Sequence, residues 1–224
     1  MEERWRRYFL KWAESEIFDE KVRKTHERVA TSNCKNPALL FSGGKDSTVG
    51  LHIALQHYPD LLVFHYDYTY NIPREIEREI IRNAKTLGVR NLFVEKEKAR
   101  IPDDRGFFAS VYRFLRENNV DCVFSCLRAE ESSKRKTLIR EGKPFQGVRN
   151  IHIIYDWTWR DVWAYIVSNK LPYLRVYEKY AEVEGWDKAR FTAFFSPDLD
   201  FLGKSNVDGI LMWKWKNILG GGRD

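Results

Sequence analysis

Leu39-Leu40-Phe41-Ser42-Gly43-Gly44-Lys45-Asp46-Ser47-Thr48 runs from an apolar stretch through two glycines into a lysine, an aspartate and two hydroxyls. Asn36-Pro37 closes the segment before it, and Ala38–Phe41 has the length and composition of a buried strand. The paired glycines let the backbone turn sharply and come close to a ligand. Asp46 and Ser47 then stand at a helix start, followed by Val49, Leu51, Ile53, Ala54 and Leu55 at mostly helical spacing. Strand, tight turn and helix N-terminus in that order make an anion site, where unpaired amides, the helix dipole and the Lys45 ammonium converge. The string is not a Walker A loop, because Asp46 stands where that motif needs Ser or Thr after the lysine. An ordinary glycine turn is the bland alternative, and the strand–loop–helix context argues against it.

Outward from this point the pattern alternates. Candidate strands are Ala38–Phe41, Leu61–Tyr66, Asn91–Val94, Asp121–Ser125 and Asn150–Ile154; candidate helices are Asp46–His57, Pro73–Leu87, Arg105–Asn118 and Glu130–Arg140. Repeated strand–helix units predict an α/β fold, an open, mostly parallel twisted sheet with helices on both faces. Ligands of such sheets bind beyond the carboxyl ends of the strands, where the first loop lies. Trp5, Phe9, Trp12, Ala13 and Ile17 recur at three- and four-residue steps, so residues 1–30 read as an amphipathic N-terminal helical appendage. Its interrupted polar face suits docking on the main domain or on a partner better than lying on a membrane. Residues 31–180 form the expected nucleotide-binding domain, and 181–224 an irregular C-terminal extension whose Trp213 and Trp215 could meet a partner.

The 224 residues carry 43% hydrophobic and 31% charged side chains, a balance that fits a soluble globular chain. The net charge of +6, without Lys/Arg tracts, suits an anionic ligand and gives no support for nucleic-acid binding. The start, Met1 to Arg7, has no apolar core, and no stretch approaches a membrane span, so the expected location is cytoplasmic. Cys34, Cys122 and Cys126 do not make a disulfide framework and lack zinc spacing. The expectation is free thiols buried in the sheet core, with Cys122 and Cys126 on one side of a strand.

Ser42 to Ser47 resembles the PP-loop of the ATP pyrophosphatases and of the phosphoadenosine phosphosulfate reductases. His65 to Pro73 follows the second strand, and Asp67 there is similar to the aspartate of the family's Asp-Thr-Gly stretch. A capping or turn aspartate accounts for Asp67 equally well. Ser125 to Arg135 resembles the Gly-x-Arg-x-x-Glu-Ser-x-x-Arg element of the reductases and of the small subunit of ATP sulfurylase, with Cys126 at the glycine position. Arg128 at a strand end suits a phosphate or sulfate; Arg135 could reach the same anion or pair with Glu131 on the surface. The Asp156-Trp157-Thr158 block through Trp163, then Leu171-Pro172-Tyr173, completes a resemblance over about residues 37–180. Thr158 and Asp161 there are spaced as a capping box.

The resemblance implies an adenine nucleotide as ligand: ATP with Mg2+, or adenylyl sulfate or its 3′-phosphorylated form (APS/PAPS). It implies Lys45, Asp46 and Arg128 as catalytic, and Ser42, Gly43, Gly44, Lys45, Asp46, Ser47, Asp67, Arg128 and Arg135 as nucleotide-binding, with Asp46 as a Mg2+ ligand. The leading expectation is cleavage of ATP at the α-phosphate, with adenylyl transfer to an anionic acceptor such as sulfate. Sulfonucleotide binding or reduction with an external thiol competes with it, since no cysteine follows Cys126 to act as the reductases' C-terminal nucleophile. A non-catalytic nucleotide-binding subunit, paired through the aromatic-rich termini with a partner subunit or a second copy, is the third.

Overall fold

The computed structural model describes residues 1–69, 72–96 and 104–189. Five parallel strands, β1 (Pro37–Leu40), β2 (Leu62–Asp67), β3 (Asn91–Lys96), β4 (Cys122–Ser125) and β5 (Arg149–His152), lie in the order β3-β2-β1-β4-β5. β1 is central, pairing Ala38 with Leu62 on one side and Pro37 with Cys122 on the other. Chain order therefore reverses direction between β1 and β4, the place where open α/β sheets form their ligand crevice.

Both faces of the sheet are covered, as the alternating pattern predicts. Phe64 and Tyr66 of β2 meet Phe114 and Phe107 of α5 (Asp104–Glu117), with ring centroids 4.9 Å and 5.5 Å apart. His65 between them points the other way and meets Glu77 of α4 (Arg74–Thr86). Successive strand residues face opposite sides, so the two helices lie on opposite faces. α3 (Lys45–His57) follows the glycine loop and buries Val49, Leu51, Ile53 and Ala54 completely.

The N-terminal segment is two helices, α1 (Glu3–Ala13) and α2 (Glu16–Ala30), where one was expected. Apolar spacing runs across the break, but Ser15 accepts a hydrogen bond from the Phe18 amide at 3.3 Å and starts α2 afresh. Ile17, placed on the apolar stripe by spacing, is 62% exposed for the same reason. α1 packs on α7 (Trp159–Ser168), where the buried Phe9 ring meets Trp159 and Trp163. Thr158 and Asp161 do form a capping box at the start of α7. Asp161 is fully buried and also accepts from Trp12 Nε1 at 2.8 Å and Lys21 Nζ at 2.5 Å, so one carboxylate ties α1, α2 and α7 together. Burial raises its proton affinity, but Lys21 and the cap donors outweigh that and hold its pKa below the ordinary value.

Two further expectations are corrected. Residues 130–140 are not one helix: a 3-10 turn (Ala129–Glu131) precedes α6 (Ser133–Glu141), because the Ser132 side chain accepts from the Arg135 amide and caps a new start. Cys34 and Cys122 are not free thiols but a disulfide, with Cα atoms 6.0 Å apart. Their closeness comes from the β1–β4 pairing, which sets Pro37 opposite Cys122 and brings Cys34, three residues earlier, alongside. Cys126 is free but lies past the end of β4, so strand parity does not relate it to Cys122.

By internal contacts, Met1–Leu174 form one compact unit and a second begins at Arg175, with α8 (Val176–Glu184) in it. Residues 190–224, with Trp213 and Trp215, lie outside the described residues. Among the described residues no helix is long and apolar enough to cross a membrane.

Candidate anion site at the carboxyl end of the sheet

The loop from Ser42 to Gly44 joins β1 to α3 at the carboxyl end of the central strand. Gly43 has φ +77°, and a Cβ there would overlap the Ile80 side chain of α4, so conformation and space both require glycine. Gly44 is the N-cap of α3. Within the turn, the Gly44 amide donates to Ser42 Oγ at 3.2 Å, and Ser47 Oγ donates to the Gly44 carbonyl at 2.9 Å. The amides of Gly43, Asp46 and Ser47 make no hydrogen bond to the described residues. That is the open donor set of a helix N-terminus, held in a fixed turn.

Charge converges on the same point. Lys45 is 3% exposed, and its Nζ lies 3.3 Å from Asp46 Oδ2. Arg128, from the loop after β4, is equally buried and donates from Nε to Asp46 Oδ1 at 2.6 Å and from Nη1 to Glu130 Oε2 at 2.5 Å. Burial would raise the Asp46 pKa, but the Lys45 and Arg128 charges outweigh it and hold the carboxyl below its usual value. Glu130 also accepts the first amide of α7, from Trp159 at 2.7 Å. The glycine loop, the β4 loop and α7 are thus joined through Asp46, Arg128 and Glu130.

Beneath the loop, the buried His65 lies 2.8 Å from the Phe41 carbonyl through Nδ1 and 2.7 Å from Glu77 Oε1 through Nε2. A carbonyl can only accept, so Nδ1 donates to it, and Nε2 faces the Glu77 carboxyl. This fixes the carbonyl immediately before Ser42 and the position of α4, whose Ile80 abuts Gly43.

Ser42, Gly43, Gly44, Lys45, Asp46, Ser47 and Arg128 are therefore brought together. Asp67 is buried and donates nothing to that cluster; both its oxygens accept from Arg74, at 2.6 Å and 2.7 Å. Arg135 pairs with Glu131 four residues back, across the break before α6, the Glu131 pairing weighed for it. Sequence reasoning missed Arg74, Glu130, His65 and Glu77. Only Arg74 carried a legible signal, standing directly after the helix-starting Pro73. Cys126 occupies the glycine position of the reductase motif without disruption, because Gly50 of α3 has no Cβ to collide with its sulfur. Burial and the nearby Asp46 charge push its thiol pKa far up, which disfavours the thiolate.

The donor set does not fit a Mg2+ held by Asp46: one oxygen is engaged by Arg128, the other by Lys45. The one cluster of three potential metal ligands among the described residues is Cys34, Asp121 and Cys122, at the opposite end of the sheet. We derive no step through a protein-held metal; an ion carried on nucleotide phosphates belongs to the substrate.

Parallel strands, a glycine turn and a cationic helix start form the α/β arrangement that the resemblance to PP-loop proteins implied. Residues 108–190 match the model of the phosphoadenosine phosphosulfate reductase domain. The chain is 27% identical over 186 residues to sulfate adenylyltransferase subunit 2 of Mycobacterium sp. strain JLS, covering 67% of this chain and 60% of that protein. It is 29% identical over 180 residues to phosphoadenosine 5′-phosphosulfate reductase of Xanthomonas oryzae pv. oryzae, covering 70% and 73%. The U34-tRNA thiolase of Methanococcus maripaludis has the same fold, with a TM-score of 0.56 at 14% identity over 93% of this chain and 82% of that one. Residues 108–190 of this chain are thus similar to the phosphoadenosine phosphosulfate reductase domain, on a fold shared with the tRNA thiolase. It spans 43% to 60% of the length of several curated relatives.

Proposed function

We propose that the protein binds ATP and cleaves it at the α-phosphate, passing the adenylyl group to an anionic acceptor such as sulfate and releasing pyrophosphate. The observation that carries this reading is the trio of unpaired amides at Gly43, Asp46 and Ser47, set around the buried Lys45. Amides fixed by the turn hold the leaving pyrophosphate without reorganising, and Lys45 offsets charge that grows on its oxygens, usually the largest catalytic contribution. Arg128 binds the acceptor or the far phosphate. Its guanidinium is already shared among carboxylates, so the incoming anion displaces Glu130, the more exposed of its two close partners. An acceptor that is already anionic needs no general base. Pyrophosphate release from ATP, measured against sulfate, flavin mononucleotide and tRNA in turn, tests this; release that depends on no acceptor in the panel counts against it.

A second reading is sulfonucleotide binding, with an external thiol as reductant. It draws on the reductase-domain match, which includes Arg128. Thermal stabilisation by phosphoadenosine phosphosulfate well above that by Mg-ATP would favour it. Under either reading the relatives named as subunits suggest a partner protein, and a copurifying chain would identify it.

A further inference from the structure

We propose that Cys34–Cys122 is a reversible two-electron redox site, opened by a dithiol reductant that attacks Cys34. Cys34 keeps 9% of its surface exposed and Cys122 none, so an incoming thiolate approaches from the Cys34 side. Arg149 Nη2 lies 3.1 Å from Cys122 Sγ and 3.5 Å from Cys34 Sγ, and a third contact, 3.2 Å to the Asn33 carbonyl, holds it there. Attack on Cys34 breaks the disulfide, forms a mixed disulfide and expels Cys122 as a thiolate. A guanidinium beside the departing sulfur favours that thiolate and makes it the better leaving group. The reductant's second thiol then displaces Cys34. Two electrons and two protons pass to the protein, and the reductant leaves as its own disulfide.

Reversibility rests on a separate, non-covalent tie. The Asp121 carboxylate accepts the amides of Lys35 at 2.8 Å and Asn36 at 2.9 Å, pinning the segment after Cys34 to the start of β4. Reduced Cys34 therefore stays beside Cys122, placed to re-form the bond. The same three side chains, Cys34, Asp121 and Cys122, are close enough to ligate a cation. Arg149 against Cys122 and the two amides on Asp121 oppose that use.

The test equilibrates the full chain anaerobically in mixtures of reduced and oxidised dithiothreitol, then acid-quenches, alkylates and maps it by mass. Cys34 and Cys122 should titrate together in one two-electron transition, with native circular dichroism throughout and full reoxidation, while the free Cys126 alkylates equally at every ratio. R149Q should slow reduction by roughly tenfold with little change in thermal midpoint. The proposal is overturned if both sulfurs alkylate in the air-oxidised native chain or if reduction occurs only on unfolding. Stoichiometric zinc released on alkylation, or an unchanged reduction rate in R149Q, overturns it equally.

Discussion

The two ends of the sheet are tied in opposite ways. At the amino end, β1 and β4 are joined by a covalent bond and by Asp121, whose oxygens both accept main-chain amides. At the carboxyl end the segments that follow these two strands are joined through the Asp46–Arg128 ion pair, and among the described residues main-chain donors are left over. A protein spends its unpaired amides where a ligand will complete them and closes them elsewhere. On the proposed reading, the difference gives stability to one end and anion chemistry to the other.

Breaking the amino end separates these roles most sharply. Cys34→Ser should lower the unfolding free energy by at most about 4–5 kcal/mol, the entropy of an 88-residue closed loop. That corresponds to roughly 10 °C in thermal midpoint. Nucleotide-induced stabilisation of the folded chain, read in the same melts, should be unchanged. Loss of that increment along with the midpoint would show that the two ends are not independent.

The converse experiment is Lys45→Ala, which should cut turnover by about 10²–10³, or 3–4 kcal/mol of transition-state stabilisation. Asp46 keeps its 2.6 Å bond to Arg128, so the unfolding midpoint in urea should move little. Equal losses in both would make Lys45 a structural ion-pair partner and remove it from the chemistry. Gly43→Ala should cost roughly 1–3 kcal/mol of stability through its positive φ alone. The overlap with Ile80 adds to this; Ile80→Ala relieves the overlap but not the φ, so a double-mutant cycle should recover the overlap cost and leave the φ cost in place.

The sequence disclosed the sheet and the loop because both are local: a strand, a glycine pair and a helix start lie within ten consecutive residues. Lys45, Asp46 and Ser47 were legible for the same reason. Arg128 was legible through the position of its motif at a strand end. The partners that complete the site were hidden, because they meet only after strand order is set. Glu130 reaches the amide of Trp159, 29 residues on, and Cys34 meets Cys122 across 88. The one-helix reading of residues 1–30 failed on a single serine cap, which apolar periodicity does not register.

α3 connects the two ends, from Lys45 at the loop to His57 in its last turn, and pH should act on them unequally. His26 of α2 and His57 share one hydrogen bond, Nδ1 to Nε2 at 2.9 Å, which needs one donor and one acceptor and fails when both rings are protonated. Burial, then the charges of His57 and His52, hold the His26 pKa below 6.5, and burial does the same for His52 and His152. For a base with a lowered folded pKa the unfolded chain binds protons first. Stability is therefore full above about pH 6.5 and falls as the pH drops through that value. The Asp46 pKa is lowered too, so its contribution is also lost as the pH falls, but only below about 3.8, outside the window in which the histidines act. Between pH 7.5 and 5.5 the unfolding free energy should decline while the Asp46–Arg128 link persists, and His26→Gln should flatten that decline. A flat profile in the parent chain would mean that these histidines protonate as readily in the folded as in the unfolded state, and the α2–α3 contact would lose its assigned sensitivity to pH.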